Sequence, residues 1–448
     1  MKKFFKIIAV ILLSLLIFFV ATLKYRQYKA NQVALPKNAT ALVKISVDEI
    51  YKSLALNAAI NPRFYFKSDT NAGQIKKVNK VESGLKIPAN IYFYAIENQP
   101  SNAFFTRFEI EEPHLFENFL LNTLHLQIIK NHKGFIHSRS KTGTITISYN
   151  KKYAAIAISN ELKDFEVALE NIINQRNFIT LVDSKFNALR KADHHITFAG
   201  KEFQSSLDFH SGSINFTSDL LSGKIIPAVK PSHRKFGAKS AISMWLNADF
   251  RSSNEKTPSL QKHKLTADSL LKYYGGYLDF EWINTIQQPD SIITYEYNDD
   301  FEKVEKLTVR NKKVPNFLIN VNAETVGLKR YLSRQNIINI DSGLVNNAVF
   351  PLYKTFLGGT DKVLELSSGK LTTTGQTSIS TDDFFGLDID FTKLNSQIDF
   401  PFVSTFLPKF KRLKVRGKAL GHNKIHVKGD LKFVNEDINS LYQLLELL

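Results

Sequence analysis

The chain has 448 residues, of which 43% are hydrophobic and 23% charged, and this balance excludes a largely disordered protein and leaves room for two ordinary domains. It contains no cysteine, which excludes disulfides, thiolate metal sites, cysteine nucleophiles and a cysteine-linked lipid anchor. The formal net charge is +17, which suits contact with anionic lipid, nucleic acid or acidic glycans, or simply solubility.

The first predicted element is an apolar segment. Residues 7–23 are apolar except for Ser14 and Thr22, and as a helix they would extend about 25 Å at ~1.5 Å per residue. A signal peptide cut after Ala21 would have bulky Phe19 three residues before the cut, where a small residue is needed. The sequence therefore predicts an uncleaved transmembrane signal anchor over 7–23, with a removed signal peptide as the alternative.

The charges beside this segment predict its orientation. Three basic residues lie on each side of it, and the amino terminus adds a positive charge on the N-terminal side. By the positive-inside rule, residues 1–6 are cytoplasmic, residues 24–34 form a stalk, and the bulk of the chain lies on the periplasmic side. The expected location is a single-pass protein of the inner membrane, whose N-terminal helix contacts membrane lipid.

Residues 35–222 are predicted to form a first domain. A strand over 41–47 opens it, and Asp48 caps the helix that follows. Alternating apolar residues predict further strands at 89–97, 103–111, 134–139, 143–149, 153–158, 194–199, 203–210 and 213–217. One helix carries a buried stripe formed by Leu162, Phe165, Leu169 and Ile172. The segment 223–236, with its prolines and basic residues, is the predicted linker.

Residues 237–448 are predicted to form a second domain in the same style. Strands are expected at 241–250, 277–283, 291–298, 304–311 and 316–324, with helices near 259–274, after 324 and near 344–357. A terminal hairpin over 412–434 turns at Gly421 and His422, and Asn435 is the predicted cap of a final helix.

These elements predict an α+β fold: an N-terminal transmembrane helix followed by two antiparallel-sheet domains with amphipathic helices on one face. A strand, an acidic cap and a helix recur at 41–58, 241–274 and 316–333. This recurrence indicates either an internal duplication or convergence on a common local pattern.

The stretch "FFGLDIDFT" at 384–392 resembles the catalytic strand motif of the family 18 glycosidases. Gly386, Asp388 and Asp390 match that motif, whereas Phe385 and Thr392 stand where the family has its first aspartate and its acid glutamate. The resemblance implies glycan hydrolysis, and the missing glutamate removes the group that would protonate the leaving oxygen.

A second carboxylate pair lies in "YLDFEW". Asp279 and Glu281 share one face of the predicted strand and lie about 6.8 Å apart along it, which suits a glycosidase pair. The alternative for both carboxylate pairs is the solvent-facing side of a strand. No complete catalytic, cofactor-binding or metal-binding motif occurs in the sequence, so none is predicted.

The terminal hairpin carries the candidate binding surface. Its predicted basic face could contact an anionic lipid surface, at about 1 kcal/mol per charge, or remain solvated without a partner; its members are Lys411, Lys414, Arg416, Lys418, Lys424, Lys428 and Lys432. Nucleic acid is not expected as a partner, because no exposed aromatic residues interleave with these cations.

The stretches "LPKNATALVKI" and "GDLKFVNEDINSLYQLLELL" resemble the two ends of the exported region in a loose group of uncharacterised single-pass bacterial envelope proteins. The resemblance implies an envelope location and no particular activity. The sequence favours a membrane-anchored, non-catalytic envelope protein that presents its domains to a protein partner. The alternatives are a lipid-binding or lipid-transfer protein with an apolar groove, and a glycan or cell-wall hydrolase that uses one of the carboxylate pairs.

Overall fold

The structure is a computed structural model that describes residues 21–66, 82–132, 134–223, 225–250, 259–260, 263–264, 267–297, 299–369, 377–397, 406–421 and 423–447. The chain divides into two compact units. The first contains the described residues up to Ser211 together with Asp437–Glu446, and the second contains Gly212–Glu436. The predicted linker 223–236 lies within the second unit and contributes two short strands to it.

The first unit is built on an antiparallel sheet. Its helices are α1 (residues 21–30), α2 (Val47–Ile60), α3 (Pro62–Tyr65), α4 (Pro113–Asn118) and α5 (Glu166–Ile173). Its strands are β1 (Ala34–Pro36), β2 (Ala39–Ser46), β3 (Leu85–Lys86), β4 (Asn90–Ile96), β5 (Phe104–Ile110), β6 (Gln127–His132), β7 (Phe135–Arg139), β8 (Ile145–Tyr149), β9 (Tyr153–Ile158), β10 (Phe178–Thr180), β11 (Ile196–Ala199) and β12 (Phe203–His210).

The main sheet of this unit runs in the order β12–β11–β2–β4–β5–β9–β8–β7–β6, with every pair antiparallel. The meander β7–β8–β9 is as predicted. Helix α5 packs Leu169 and Ile172 against Leu42 and Phe105 of the sheet. The predicted stripe is wrong at its first member, because the helix begins at Glu166 and leaves Leu162 82% exposed.

The second unit is a longer antiparallel sheet. Its helices are α6 (Ala267–Leu271), α7 (Thr325–Arg334) and α8 (Phe391–Gln397). Its strands are β13 (Ser213–Leu221), β14 (Ile225–Pro227), β15 (Ser232–Arg234), β16 (Ile242–Phe250), β17 (Ser259–Leu260), β18 (His263–Lys264), β19 (Tyr274–Tyr297), β20 (Lys303–Ala323), β21 (Ile338–Asn339), β22 (Leu344–Val345), β23 (Phe356–Gly359), β24 (Val363–Ser367), β25 (Ser378–Ser380), β26 (Asp383–Asp390), β27 (Phe410–Gly421) and β28 (Lys424–Phe433).

The order of the main sheet is β13–β28–β27–β26–β16–β19–β20–β24–β23–β22–β21. The predicted terminal hairpin is present as β27 and β28, with Gly421 and Asn423 at positive φ in the turn, while His422 lies outside the described residues. The predicted helix near 344–357 is wrong. Pro351 lies in its middle, and a proline in a helix interior removes a hydrogen bond, so two short strands form at the ends of this segment.

The last helix, α9 (Ser440–Leu445), belongs to the first unit. Its cap is Asn439, whose side chain accepts a hydrogen bond from the backbone N–H of Leu441, so the predicted cap at Asn435 is wrong. The Asn439 amide donates to Ser53 of α2, and Asn57 of α2 donates to the carbonyl of Asp437. The C-terminal segment is thus fastened to α2 by side-chain hydrogen bonds.

The predicted fold class needs correction. Antiparallel sheet dominates the structure, with 47% strand against 22% helix, so the predicted α+β fold, with a transmembrane helix and amphipathic helices on one sheet face, is wrong and a large sheet-rich fold replaces it. Alternation of apolar and polar residues favours strands wherever neighbouring strands can pair. The longest strands, β19 and β20, each include two segments that the sequence predicts as separate strands.

The predicted signal anchor over 7–23 lies outside the described residues except for 21–23, which begin α1. Among the residues that the structure does describe, no helix is long and apolar enough to cross a membrane. The prediction of a single-pass protein of the inner membrane is corrected on this finding.

Candidate functional site

The predicted basic face is divided by the register of its strands. Lys414, Arg416 and Lys418 alternate along β27 on one face of the sheet, and the residues opposite them on β28 are Asp430, Lys428 and His426. Lys411 lies at a bulge outside this register and pairs with Glu436. The seven predicted cations therefore do not form one uninterrupted row.

Two acidic residues, one just before and one at the start of the neighbouring strand β26, compensate part of this face. Lys418 lies 3.3 Å from Asp382 and 3.9 Å from Asp383, and the Arg416 guanidinium lies 4.7 Å from the centroid of the Trp245 ring. Lys432 and the hydrogen-bonded Lys411 both contribute to lowering the pKa of the Glu436 carboxyl, Lys411 more strongly.

Four of the predicted cations remain available. Lys414, Lys424, Lys428 and Lys432 are exposed and form no ion pair with any residue in the described part of the chain. Contact between this face and an anionic surface stays a prediction, with these four lysines as the cations that such a surface would meet.

The carboxylates of the glycosidase-like motif are engaged in structural contacts. Asp388 binds both Nε and Nη2 of Arg412, at 2.6 and 2.7 Å. The Oδ1 atom of Asp390 accepts the backbone N–H of Lys393 at the start of α8. Neither group faces a partner carboxylate across a cleft, as a glycosidase pair would require.

Asp279 and Glu281 are buried beneath an arginine. Asp279 is fully buried, Glu281 is 2% exposed, and Arg234 of β15 lies across both, with Nε 2.9 Å from Asp279 Oδ1 and Nη1 2.5 Å from Glu281 Oε2. Asn320 of β20 donates to Asp279 Oδ1 at 3.2 Å. These four residues are called the Arg234 cluster below. Strand β19 therefore carries both carboxylates, β20 adds the amide of Asn320, and Arg234 of β15 covers them.

The remaining carboxylate oxygens of the Arg234 cluster are also hydrogen-bonded. Tyr277 donates its hydroxyl to Asp279 Oδ2 at 2.9 Å, and the backbone N–H of Gly237 donates to Glu281 Oε1 at 2.7 Å. The Ser240 hydroxyl also donates to that oxygen. A pair of carboxylates held in this way fastens the segment 232–240 onto the sheet and offers no oxygen to a substrate.

Burial changes the acidity of two carboxyl groups here. Desolvation raises the pKa of Asp279 above its usual value, although Arg234 pulls it down. Desolvation also raises the pKa of Glu365 on β24, while Arg234 lowers it and the charge of Asp279 raises it further. The polar face of the second unit thus holds one arginine among three buried acids.

The first unit contains a buried serine–histidine contact that no sequence motif indicates. The Ser148 hydroxyl lies 2.7 Å from His137 Nδ1, and Nε2 of that ring lies 3.5 Å from Glu170 Oε1. Ser148 is fully buried and His137 is 1% exposed, so no substrate can reach the hydroxyl. The arrangement supports packing between β7, β8 and α5. No group of three or more metal-ligating side chains occurs in the described ranges.

The most unusual surface is the far end of β19 and β20. Within the described chain, β19 pairs with β16 only at Tyr277–Trp282, and β20 pairs with β24 only from Leu318 onward. Beyond these points the two strands pair only with each other, down to Tyr297 opposite Lys303. Gln288 fixes the base, since its amide donates to the carbonyls of Lys354 and Ser368.

Residues 290–297 and 303–310, here called the ribbon, extend from this base. They form eight cross-strand pairs, from Asp290 opposite Arg310 to Tyr297 opposite Lys303. At ~3.4 Å per residue the ribbon is about 25 Å long. An isolated two-stranded hairpin is only marginally stable in water, and this one is held by the sheet at its base.

One face of the ribbon is apolar and open to solvent. Its members share exposures above half, and they are Ile293, Tyr295, Tyr297, Leu307 and Val309. The other face is polar: Thr294 lies 2.8 Å from Thr308, and Lys306 binds Glu296 at 2.8 Å. Two polar residues share this face: Lys303 Nζ lies 4.0 Å from the centroid of the Tyr295 ring, and the Tyr295 hydroxyl donates to Glu305 Oε1 at 3.3 Å. The five apolar side chains nevertheless stay more than half exposed.

The end of the ribbon is acidic. Residues 296–305 contain five acids and one lysine, a formal charge of −4 in a chain whose total is +17. Phe301 lies in the connecting turn, 87% exposed, with a positive φ of 58°. An apolar row that ends in an acidic, aromatic turn is therefore presented to solvent by a basic protein.

The sequence contained part of this signal. Strands at 291–298 and 304–311 are predicted from the sequence, without an outer position for either. The five acids clustered around the turn, in an otherwise basic chain, are the feature that could have indicated an outer position.

Comparison with known proteins gives few matches. No protein family model and no curated protein sequence matches the chain. Among solved structures it is similar to TP0453: crystal form III with a TM-score of 0.28 and 9% identity, over 42% of this chain and 77% of that one. Crystal form I gives a TM-score of 0.24 and 8% identity, over 78% of this chain and 94% of that one. Likeness at these scores does not establish a common fold.

Proposed function

We propose that this protein is a non-catalytic binding or scaffolding protein that docks onto a partner protein through the ribbon. The observation that carries the proposal is the row of exposed apolar side chains along one face of a strand pair. Soluble proteins rarely expose contiguous apolar surface without a use for it, and tyrosine and phenylalanine are enriched where proteins bind proteins.

Charge favours a protein over the other classes of partner. The −4 charge at the end of the ribbon would be repelled by nucleic acid and by an anionic membrane surface. A protein with an apolar groove bordered by lysine or arginine would match both the row and the acids. The expected partner is therefore a protein that presents a basic rim.

A non-catalytic role is supported by the state of the candidate carboxylates. Asp388 is bound to Arg412, and Asp279 and Glu281 are bound to Arg234 beneath the segment that covers them. Glycan hydrolysis needs one carboxyl to protonate a substrate oxygen and another to face the sugar ring, and these groups have no access to a sugar.

Photo-cross-linking would test the docking role. The photoreactive residue p-benzoylphenylalanine replaces Tyr297 or Tyr295 in cells that naturally make the protein, and cross-linked products are identified by mass spectrometry. Tyr51, on α2, is a matched control because it is 65% exposed against 71% for Tyr297. We expect one shared protein to be captured from both ribbon positions and not from Tyr51.

Binding measurements with that purified protein complete the test. The Tyr297→Ser and Leu307→Ser changes together are expected to weaken binding at least tenfold, since truncating central interface residues costs more than 1 kcal/mol each. Affinity should also fall as salt is raised, because the acids contribute. Capture of the same proteins from Tyr51, or none from the ribbon, would refute the proposal.

A further inference from the structure

The first unit contains a cavity that the docking role does not use. Its volume is about 580 Å³, within the range of roughly 300–1,000 Å³ that is typical of small-molecule sites. One wall is the face of α1 around Lys29 and Ala30, and the others are residues 86–92 and the start of β1. Val33, Ile87 and Phe108 give it an apolar interior.

The cations around the cavity are not equally available. Arg26 binds Asp48 through two nitrogens, and Lys86 lies 3.1 Å from Glu109. Arg107 lies 3.6 Å from the centroid of the Tyr153 ring and donates to the carbonyl of Ile173. Lys29 alone among these lining cations has no partner within the described part of the chain. The cavity thus has a positive rim with one uncommitted ammonium group.

A buried acceptor lines the same cavity. Asn90 is 2% exposed, and its amide nitrogen donates to Asn31 Oδ1 at 3.3 Å. Its Oδ1 atom accepts no hydrogen bond from any described residue. Tyr92 also donates to Asn31, so that neighbouring acceptor is already used. A buried oxygen without a donor has lost its hydrogen bonds to water, and a ligand N–H or O–H would restore one.

We propose that this cavity binds a single-chain anionic amphiphile whose head group carries an N–H or O–H donor beside its acid. The acyl chain lies against Val33, Ile87 and Phe108, the acid meets Lys29, and the donor reaches Asn90 Oδ1. N-acyl amino acids have this combination of groups. The site lies in the first unit, and its occupancy does not depend on the ribbon or on the partner proposed above.

Three matched ligands test the recognition by isothermal titration calorimetry, each below its micelle concentration. N-lauroylglycine has the chain, the acid and the N–H; N-lauroylsarcosine replaces that N–H with N–CH₃; N-lauroylglycinamide replaces the acid with a neutral amide. We expect N-lauroylglycine to bind one per chain, and each of the other two to bind about tenfold more weakly, because each lacks one contact. Equal binding of all three would show adsorption through the chain alone and overturn the proposal.

Variants locate the ligand on the protein. Lys29→Glu reverses the exposed rim charge and is expected to weaken N-lauroylglycine binding about tenfold, and Ala30→Phe fills the cavity and should abolish it. Lys24→Glu is the matched control, since Lys24 lies on the same helix and does not line the cavity. Thermal unfolding checks that each variant is folded. Unchanged affinity in Lys29→Glu, or equal losses in Lys24→Glu, would overturn the proposal whatever the fate of the Ala30 variant.

Discussion

Strands β19 and β20 bury polar residues at one end and expose apolar residues at the other. Near the sheet, they bury Asp279, Glu281 and Asn320 beneath Arg234. At the far end, the same two strands leave Tyr297 and Leu307 about 70% exposed. The usual rule of apolar inside and polar outside is inverted along one pair of strands.

The difference comes from what covers each end. Near the sheet, β15 and the residues after it cross the polar face and supply one guanidinium and several donors, so the buried charges are paired. At the far end no described element lies against the apolar face. A buried charge is tolerated where opposite charges and hydrogen-bond partners surround it, and an exposed apolar row is tolerated where a further molecule can cover it.

The largest expected effect is the loss of the arginine at the buried end. Arg234→Met leaves two buried carboxylates without their cation and should lower the free energy of unfolding of the second unit by about 3–5 kcal/mol. Urea denaturation followed by tryptophan fluorescence measures it, since Trp245 and Trp282 both belong to that unit.

The matched control is Arg412→Met, which removes the exposed bond to Asp388 and should cost about 0–1 kcal/mol. A loss of less than 1 kcal/mol in the free energy of unfolding for Arg234→Met would mean that the ion pairs with Asp279 and Glu281 do not stabilise this end of the strands.

A smaller loss of stability is expected from filling the space under Trp245. This residue packs the segment 232–240 onto the sheet. The Trp245 ring lies 4.1 Å from that of His233, centroid to centroid, and it covers the bare α-carbon of Gly386. Gly386→Val would overlap the indole ring and should cost about 1–3 kcal/mol in the same denaturation experiment. Ala419→Val, at an exposed position of the same sheet, should change little; equal losses in both would contradict this packing.

A pH-dependent effect should separate buried from exposed acids. Because the folded pKa of Glu365 is raised, the folded state holds its proton longer than the unfolded state, and the stabilisation from this group is lost as pH rises through the folded value. Glu365→Gln should therefore stabilise the second unit at pH 7, with a gain that shrinks as pH falls toward 4. Glu305→Gln, at an exposed position of the ribbon, is measured alongside as the control. A gain that is constant with pH would argue against burial as the cause.

The smallest effect on stability is expected at the ribbon. Tyr297→Ser and Leu307→Ser remove exposed side chains and should each change the free energy of unfolding by less than about 0.5 kcal/mol, while binding to the partner is lost. A loss of more than 1 kcal/mol in the isolated protein would mean that this face is already packed.

The sequence predicts the strands far better than their surroundings. Period-two alternation located the hairpin of β27 and β28 and both ends of β19. It did not join those ends, because Pro289 lies between them and proline favours strand edges and breaks; in the structure Pro289 lies opposite Asn311 within the strand pair.

The Arg234 cluster could not be predicted in the same way. The spacing of Asp279 and Glu281 gives their shared face, whereas their burial depends on Arg234, 45 residues earlier in the chain. The exposure of the apolar face of the ribbon could not be predicted for a similar reason. Alternation identifies an apolar face, but nothing in the local sequence indicates whether another element packs against it.

The attachment of the C-terminal segment to α2 has a consequence for biosynthesis. Asn57 is 6% exposed, and its contacts to residues 437 and 439 join positions separated by about 380 residues. A ribosome must therefore make the whole second unit before the first can close around Asn57. The order of assembly follows from the threading of the chain: the part translated first is the part completed last.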